Sequence, residues 1–410
     1  MKKTLIKLIA RFIGHKGITF DGGRVYYWKV PMIVLPMDIL AFLQHNLEKE
    51  FGPDTRKILY SLGKIQGKNG TNILIERFKI IPDAKDLSFF MEQTEFIGVG
   101  KIKMINNDFA NCHMEIGNNN SPNARAYVNL FGKREKPICD YARGMFAGAF
   151  QAIFNASARK KEDFEGIEVE CIAKGNPSCR IEIKRVSEWD ASDPGIKDEL
   201  PAIFPEIDEA RKKETLAMLL KPPLESMINP ETELSRTIKR YHGEYHLKFM
   251  EGGIVTIFGM DSLITPMDIF MLLYYVLSKR YGANAKKIFY DAGSFLAKKS
   301  TELIFNELGL RKGQVQNINI AFEQPGLFGL GTVHIVKKDT KNHDYIFKVD
   351  KAPGVHYSKL IGLKKEKADD YLAGFFNGVL EYLFDLKFST IEEKCVVSGS
   401  PVCLFRSTGK

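Results

Sequence analysis

The chain has 410 residues, 44% of them hydrophobic and 27% charged, with a formal net charge of +9. That composition is ample for packed cores and excludes a chain disordered throughout, while six cysteines in this length exclude a disulfide-built scaffold. The basic residues are interspersed with acids, as in Lys364-Lys365-Glu366-Lys367, and no helix-turn-helix, zinc-finger or RNA-binding signature accompanies them, so no nucleic-acid partner is expected.

The opening segment MKKTLIKLIARFIGHKG superficially resembles a signal peptide, but Lys7 and Arg11 interrupt its apolar run and no small-residue cleavage site follows. Leu5, Ile6, Leu8, Ile9, Phe12 and Ile13 fall at helical spacing, which predicts a short amphipathic helix docked on protein or on a membrane surface. No apolar run reaches the roughly 20 residues needed to span a bilayer, and a cytoplasmic protein is expected. A strand near Gly22-Gly23 comes next, then a helical hairpin. Pro36 and Asp38 suit the start of its first helix, Gly52 its end, and Asp54 the cap of the second. Alternating runs such as AYVNLF predict antiparallel strands. GMFAGAFQAIF reads as a late helix whose small residues permit close packing, and ECIAKGNPSCRIEI as a terminal hairpin.

The pattern then repeats. LPMDILAFLQHNLEKEFGPDTRKILYSLG matches TPMDIFMLLYYVLSKRYGANAKKIFYDAG at a constant offset of 230, with 12 of 28 positions identical from Pro36 to Gly63. Asn284 would cap as Asp54 does, and DYIFKV would be a strand like AYVNLF. At the ends, Cys-x3-Gly-x-Pro-x-Cys occurs twice, as Cys171/Cys179 and Cys395/Cys403, at an offset of 224. Pairing Ala147-Gly148 with Ala373-Gly374 gives a local offset of 226. The chain is therefore expected to be two α+β domains, residues 1–186 and 236–410, each an antiparallel sheet packed against helices. A linker over 187–235 carries six prolines and leaves room for one helix from about Ile207 to Leu220.

The Ala-Gly helix followed by Cys-x3-Gly-x-Pro-x-Cys resembles the 4-vinyl reductase domain, over nearly all the chain outside the linker. That family takes its name from bacteriochlorophyll synthesis. It is similar to the phenol-sensing domains of bacterial regulators and, in fold, to a vesicle-tethering subunit family. The resemblance implies a mostly apolar pocket for a small hydrophobic ligand, and output through a separate protein partner or through assembly as a pseudo-dimer or homodimer. It does not imply reductase activity.

Facing cysteines on a hairpin bring two thiolates about 5 Å apart, close enough to converge on one zinc. The resemblance adds a third cysteine and a carboxylate, which implies a structural zinc on Cys139, Asp140, Cys171 and Cys179. Three half-buried cysteines acting as small hydrophobes are the alternative. In the second domain the offset of 226 puts Lys365 and Glu366 at the upstream pair. Cys395 and Cys403 then form an incomplete metal site unless Glu366, Glu393 or His356 assists. Cys112-His113 reads as ordinary packing.

Pocket candidates are Tyr127, Tyr141, Met145, Phe146 and Phe150 in the first domain, and His356, Tyr357, Tyr371, Phe375 and Phe376 in the second. Aromatic residues at helical spacing serve as core and as pocket wall alike. No phosphate loop, dinucleotide fingerprint or nucleophile elbow is present. The expected function is a non-catalytic ligand-binding sensor or regulatory module. The alternatives are a protein-interaction scaffold and an accessory factor in tetrapyrrole synthesis.

Overall fold

The computed structural model describes residues 18–21, 23–27, 30–78, 91, 94–158, 161–189, 207, 247–250, 252–355 and 367–410. The N-terminal helix, the linker beyond Trp189 apart from Ile207, and residues His356, Tyr357, Lys365 and Glu366 lie outside them.

The architecture is α+β, with antiparallel sheets packed on helices. The first half runs β1 (Ile18–Asp21), β2 (Arg24–Tyr27), β3 (Val30–Pro36), α1 (Met37–Phe51), α2 (Asp54–Phe78), β4 (Ile102–Asp108) and β5 (His113–Asn118). It continues with α3 (Pro122–Phe131), α4 (Asp140–Ala158), β6 (Phe164–Glu170) and β7 (Cys179–Arg185). The second half begins with β8 (Leu247–Met250), β9 (Ile254–Ile257), β10 (Met260–Pro266), α5 (Met267–Tyr281) and α6 (Ala283–Leu308). It ends with β11 (Thr332–Asp339), β12 (Asp344–Asp350), α7 (Asp370–Phe384), β13 (Phe388–Lys394) and β14 (Cys403–Gly409). Each half builds a four-stranded sheet in the same order, β4-β5-β7-β6 and β11-β12-β14-β13.

The helical hairpins form where proline and glycine dictate. Pro36 and Pro266 sit immediately before α1 and α5, and Gly52 and Gly282 end those helices at φ of 81° and 62°. Asn284 lies inside α6 and its amide bonds Glu50, so it is not the cap. AYVNLF is not a strand. It belongs to α3, which starts at Pro122 and stops at Gly132. DYIFKV does form a strand, β12.

In each half the long second helix packs against the late helix through glycines. A Cβ on Gly144 would lie 2.1 Å from the Tyr60 carbonyl oxygen, and one on Gly374 would lie 1.9 Å from that of Tyr290. Gly63 and Gly293 meet the Tyr141 and Tyr371 carbonyls in the same way. The late helices therefore correspond at an offset of 230, Gly144 to Gly374, and the offset of 226 is corrected. The six residues that the second half lacks fall after the helix, before β13.

The halves share one six-stranded sheet, β1-β2-β3-β10-β9-β8. At its centre β3 pairs with β10 from Pro36↔Ser262 through Val34↔Ile264 to Pro266↔Met32. With i matched to i+230, this register maps onto itself when the halves are exchanged. It is a pseudo-twofold contact of isologous type. Adjoining segments cross reciprocally. Ile264 N–H donates to Ile97 O and Val34 N–H to Phe328 O, and Gly100 and Gly331 N–H donate to Gly253 O and Gly23 O.

Candidate metal and ligand sites

The terminal hairpin of the first half brings Cys171 and Cys179 together across a turn that Gly175 closes at φ 98°. Cys139 arrives from the start of α4, where its carbonyl accepts the Arg143 N–H. The Cys139 and Cys179 sulfurs are 3.7 Å apart, and those of Cys179 and Cys171 are 3.9 Å apart. A tetrahedral zinc with metal–sulfur bonds of about 2.3 Å requires sulfur–sulfur edges of roughly 3.8 Å. The three thiols are thus already at ligand spacing.

The fourth group is Glu168, not Asp140. Cys139, Glu168, Cys171 and Cys179 are all buried, and each offers a ligand atom within 4.8 Å of the others. A bulge in the β6–β7 pairing between Glu168 and Glu170 lets the strand turn that side chain inward. Glu168 Oε2 accepts the Cys139 N–H at 2.9 Å, while among the described residues buried Oε1 makes no well-formed hydrogen bond. Asp140 is engaged elsewhere. Its carboxylate takes bonds from Gln44 at 2.7 Å, Arg56 at 3.0 and 3.1 Å, and Arg143 at 3.1 Å. Two buried guanidiniums need that counter-charge, and the side chain sits beside the cysteine cluster without facing it.

The electrostatics suit a site that exchanges protons for a cation. The Cys139 and Cys179 thiols donate to Cys171 and draw its pKa down to about 2. Cys139 is pushed up by donating that bond and by burial. Burial raises Glu168 well above the carboxylate range. Either cysteine cluster could hold a metal ion.

In the second half the cluster is Asp369, Glu392, Cys395 and Cys403, all buried. Asp369 caps α7 where Cys139 starts α4, as the offset of 230 requires. Glu392 sits at a bulge in β13 just as Glu168 does in β6. Glu393 is not among the clustered groups. Both glutamates were legible as a doubled Ile-Glu-x2-Cys, three residues before the cysteine.

A separate cavity of about 130 Å³ lies where the halves meet. Its walls include Met32 on β3, Gly67 and Leu74 on α2, Met145 and Ala149 on α4, and Pro266 and Ile269 from the second half. The lining is mostly apolar. Asn69 borders it, and the buried Asn69 Nδ2 has no hydrogen-bond partner among the described residues. Of the expected pocket residues, Met145 alone lines this cavity among those described. Tyr127 packs with His45 and Phe131, and Tyr141 bonds the Thr265 hydroxyl at 2.8 Å. Phe146 borders a void of about 20 Å³ beside Cys139 and Cys179. Phe150, Tyr371, Phe375 and Phe376 are core.

At the matching positions of the second half, larger side chains take up space. Ala297 stands for Gly67, Phe375 for Met145, and Phe328 for Ile97. The Phe328 and Phe375 rings are fully buried, with centroids 6.0 Å apart. Among the described residues, no helix is long and apolar enough to cross a membrane.

No family model matches the chain. The phenol regulator MopR of Acinetobacter guillouiae is 22% identical over 213 residues, a match covering 48% of this chain and 36% of the regulator. The chain thus spans just over a third of that relative's length. The crystal structure of the phenol-responsive sensory domain of the transcription activator PoxR with phenol is similar at a TM-score of 0.38 and 19% identity. That match covers 46% of this chain and 94% of the other. A trafficking protein particle complex subunit 3 from Naegleria fowleri, covalently bound to palmitic acid, has a TM-score of 0.28 at 15% identity, over 35% of this chain and 95% of that one. The chain is distantly similar in sequence to a phenol regulator.

Proposed function

We infer that this protein is a non-catalytic regulatory module that binds one small, largely apolar molecule in the cavity between its halves. The observation that carries this reading is the volume. An apolar cavity of about 150 Å³ accepts a benzene ring, and this one is about 130 Å³. The sequence likeness to a phenol regulator supports a ligand of that size. A tetrapyrrole is disfavoured, since pockets for larger ligands begin near 300 Å³. A scaffold is less supported: exposed apolar residues such as Ile105, Val336 and Ile391 stand on different sheet strands. The unpaired Asn69 amide favours a ring bearing one hydrogen-bond acceptor. Leaving such a donor buried and unmet costs about 1–3 kcal/mol.

The first cysteine cluster is read as a structural zinc centre held by Cys139, Glu168, Cys171 and Cys179. Bound there, the metal would supply cross-linking of the hairpin to α4 and no chemistry on the ligand.

Calorimetry and thermal unfolding with single-ring aromatics test the ligand reading. Oxygenated rings should stabilise the protein most, and Asn69→Leu should erase their advantage over plain rings. Met145→Phe with Ile97→Phe, copying the second half, should abolish binding. If no single-ring compound stabilises the protein, or if the doubly filled variant binds as well as the parent, the cavity is not the site.

A further inference from the structure

The second cluster is not simply a weakened copy of the first. It has two thiols and two carboxylates instead of three thiols and one carboxylate, and one of its carboxylates, Asp369, interacts electrostatically with Arg24. Glu392 is 6% exposed, and among the described residues neither buried carboxylate oxygen makes a well-formed hydrogen bond, its polar neighbours being the Cys395 thiol and the Asp369 backbone. A buried carboxylate left in that state is strongly penalised unless a proton or a cation meets it. Asp369 Oδ2 lies 4.0 Å from the Cys403 sulfur, and the Val396 N–H donates to that sulfur at 3.4 Å. The four groups therefore converge from α7, β13 and the terminal turn on one small volume.

Asp369 is also the end of a chain of contacts that starts in the other half. Its Oδ1 accepts the Gly354 N–H at 2.7 Å. A Cβ on Gly354 would lie 2.5 Å from Asp369 Oδ2, so the segment is pressed against the carboxylate. Two residues earlier, the same segment presents its carbonyls to Arg24 on β2 of the first half. Arg24 Nη2 donates to Lys351 O at 2.6 Å and to Ala352 O at 3.4 Å. Arg24 is 3% exposed, and its charge and that of Asp369 favour each other. The strand bearing Arg24 is held in place by Gly23, whose carbonyl accepts the Gly331 N–H. At the corresponding position the second half has Ile254, and the first cluster meets Ser121 of its own half instead, at 3.4 Å from Cys139. Among the described residues, an arginine makes such a link on one side only.

We propose that Asp369, Glu392, Cys395 and Cys403 form a second divalent-metal centre of the zinc class, and that Arg24 ties its occupancy to docking of the first half's N-terminal hairpin. Two thiolates and two carboxylates carry a charge that one divalent cation and one guanidinium offset far better than either alone. Fixing Asp369 on a metal fixes the Gly354–Lys351 segment, and so the carbonyls that hold Arg24. By linkage, docking of Arg24 strengthens metal binding by the same factor that metal binding strengthens docking. The inference does not depend on the cavity or its ligand.

The test uses the full chain, stripped with a chelator and reloaded with zinc alone or cobalt(II) alone. Two metals per chain are expected, and the cobalt form should show thiolate charge-transfer absorption from both sites. Glu392→Gln, which preserves shape, should leave one metal per chain. It should also speed amide exchange over residues 24–36. Arg24→Met should weaken the second site by about tenfold, within the range usual for coupled sites, and leave the first unchanged. If Glu392→Gln fails to fold, comparing the parent chain loaded with one and with two equivalents gives the same exchange readout. A single metal per chain in the parent overturns the second centre. Two metals, with Arg24→Met altering neither affinity nor exchange, overturns the coupling.

Discussion

Asp140 and Glu168 illustrate how burial and partners, not proximity in sequence, decide what a carboxylate does. Asp140 adjoins Cys139, yet Arg56 and Arg143 claim both of its oxygens. Glu168 is far away in sequence, yet one oxygen is unpaired among the sulfurs. Asp140→Asn should therefore leave zinc content unchanged while costing about 3–5 kcal/mol in denaturant unfolding, because two buried guanidiniums lose their counter-charge. Glu168→Gln should do the reverse, lowering zinc affinity with a smaller loss of stability in the metal-free form. The pH dependence separates the groups further. In the metal-free cluster the bonds that Cys171 accepts hold it low, while Cys139, Cys179 and Glu168 are all raised, which favours their protonated forms. Zinc must displace those protons, so affinity should fall as pH falls. With Cys395 and Cys403 replaced by serine, zinc binding should release protons, and fewer of them in Glu168→Gln. Calorimetry in buffers of different ionisation enthalpy counts them. An unchanged count would mean that Glu168 is ionised before the metal arrives.

Among the elements, the glycines of the helix pairs carry the most specific information. Gly144 lies so close to Tyr60 that any Cβ forces α2 and α4 apart, whereas a Cβ on Gly70 meets nothing within 4 Å. Gly144→Ala should destabilise by about 1–3 kcal/mol or more, and Gly70→Ala should stabilise by up to about 1 kcal/mol through helix propensity. Chemical denaturation of the two variants checks both signs. The helices were legible in the sequence because proline and glycine bracket them. α3 was misread because the alternation in AYVNLF outweighed its stronger punctuation, Pro122 at the start and Gly132 at the end. The cysteine hairpins were legible from their spacing. Glu168 and Glu392 show in the sequence only as the doubled Ile-Glu-x2-Cys, because a bulge aims each of them, and a bulge leaves no mark in a hydrophobic pattern. The cavity was illegible for a different reason. Its walls come from both halves, and no single periodic segment carries it.

At the scale of the whole molecule, the pseudo-twofold contact makes the first half a subunit that has its partner attached. Residues 30–36 are mostly buried, and β10 covers one edge of β3. Removed from the second half, that apolar edge would seek another strand. The available strand is a second copy of itself, since Val34 already faces its own counterpart, Ile264, at the centre of a self-complementary register. Ile97 O would then accept the Val34 N–H of the other copy, as Phe328 O does now. A fragment of residues 1–189 should therefore be a homodimer by light scattering. It should also carry a cavity on each side of the axis. Pro266 and Ile269, which the second half contributes to the cavity, have identical counterparts in Pro36 and Ile39. The dimer should bind two single-ring ligands where the full chain binds one at this contact. A fragment of residues 236–410 should also pair, yet bind none, because Phe328 and Phe375 occupy the space. A folded monomer from residues 1–189 would show that the register does not suffice to hold two halves together. A dimer that binds no ligand would place the binding site away from the contact.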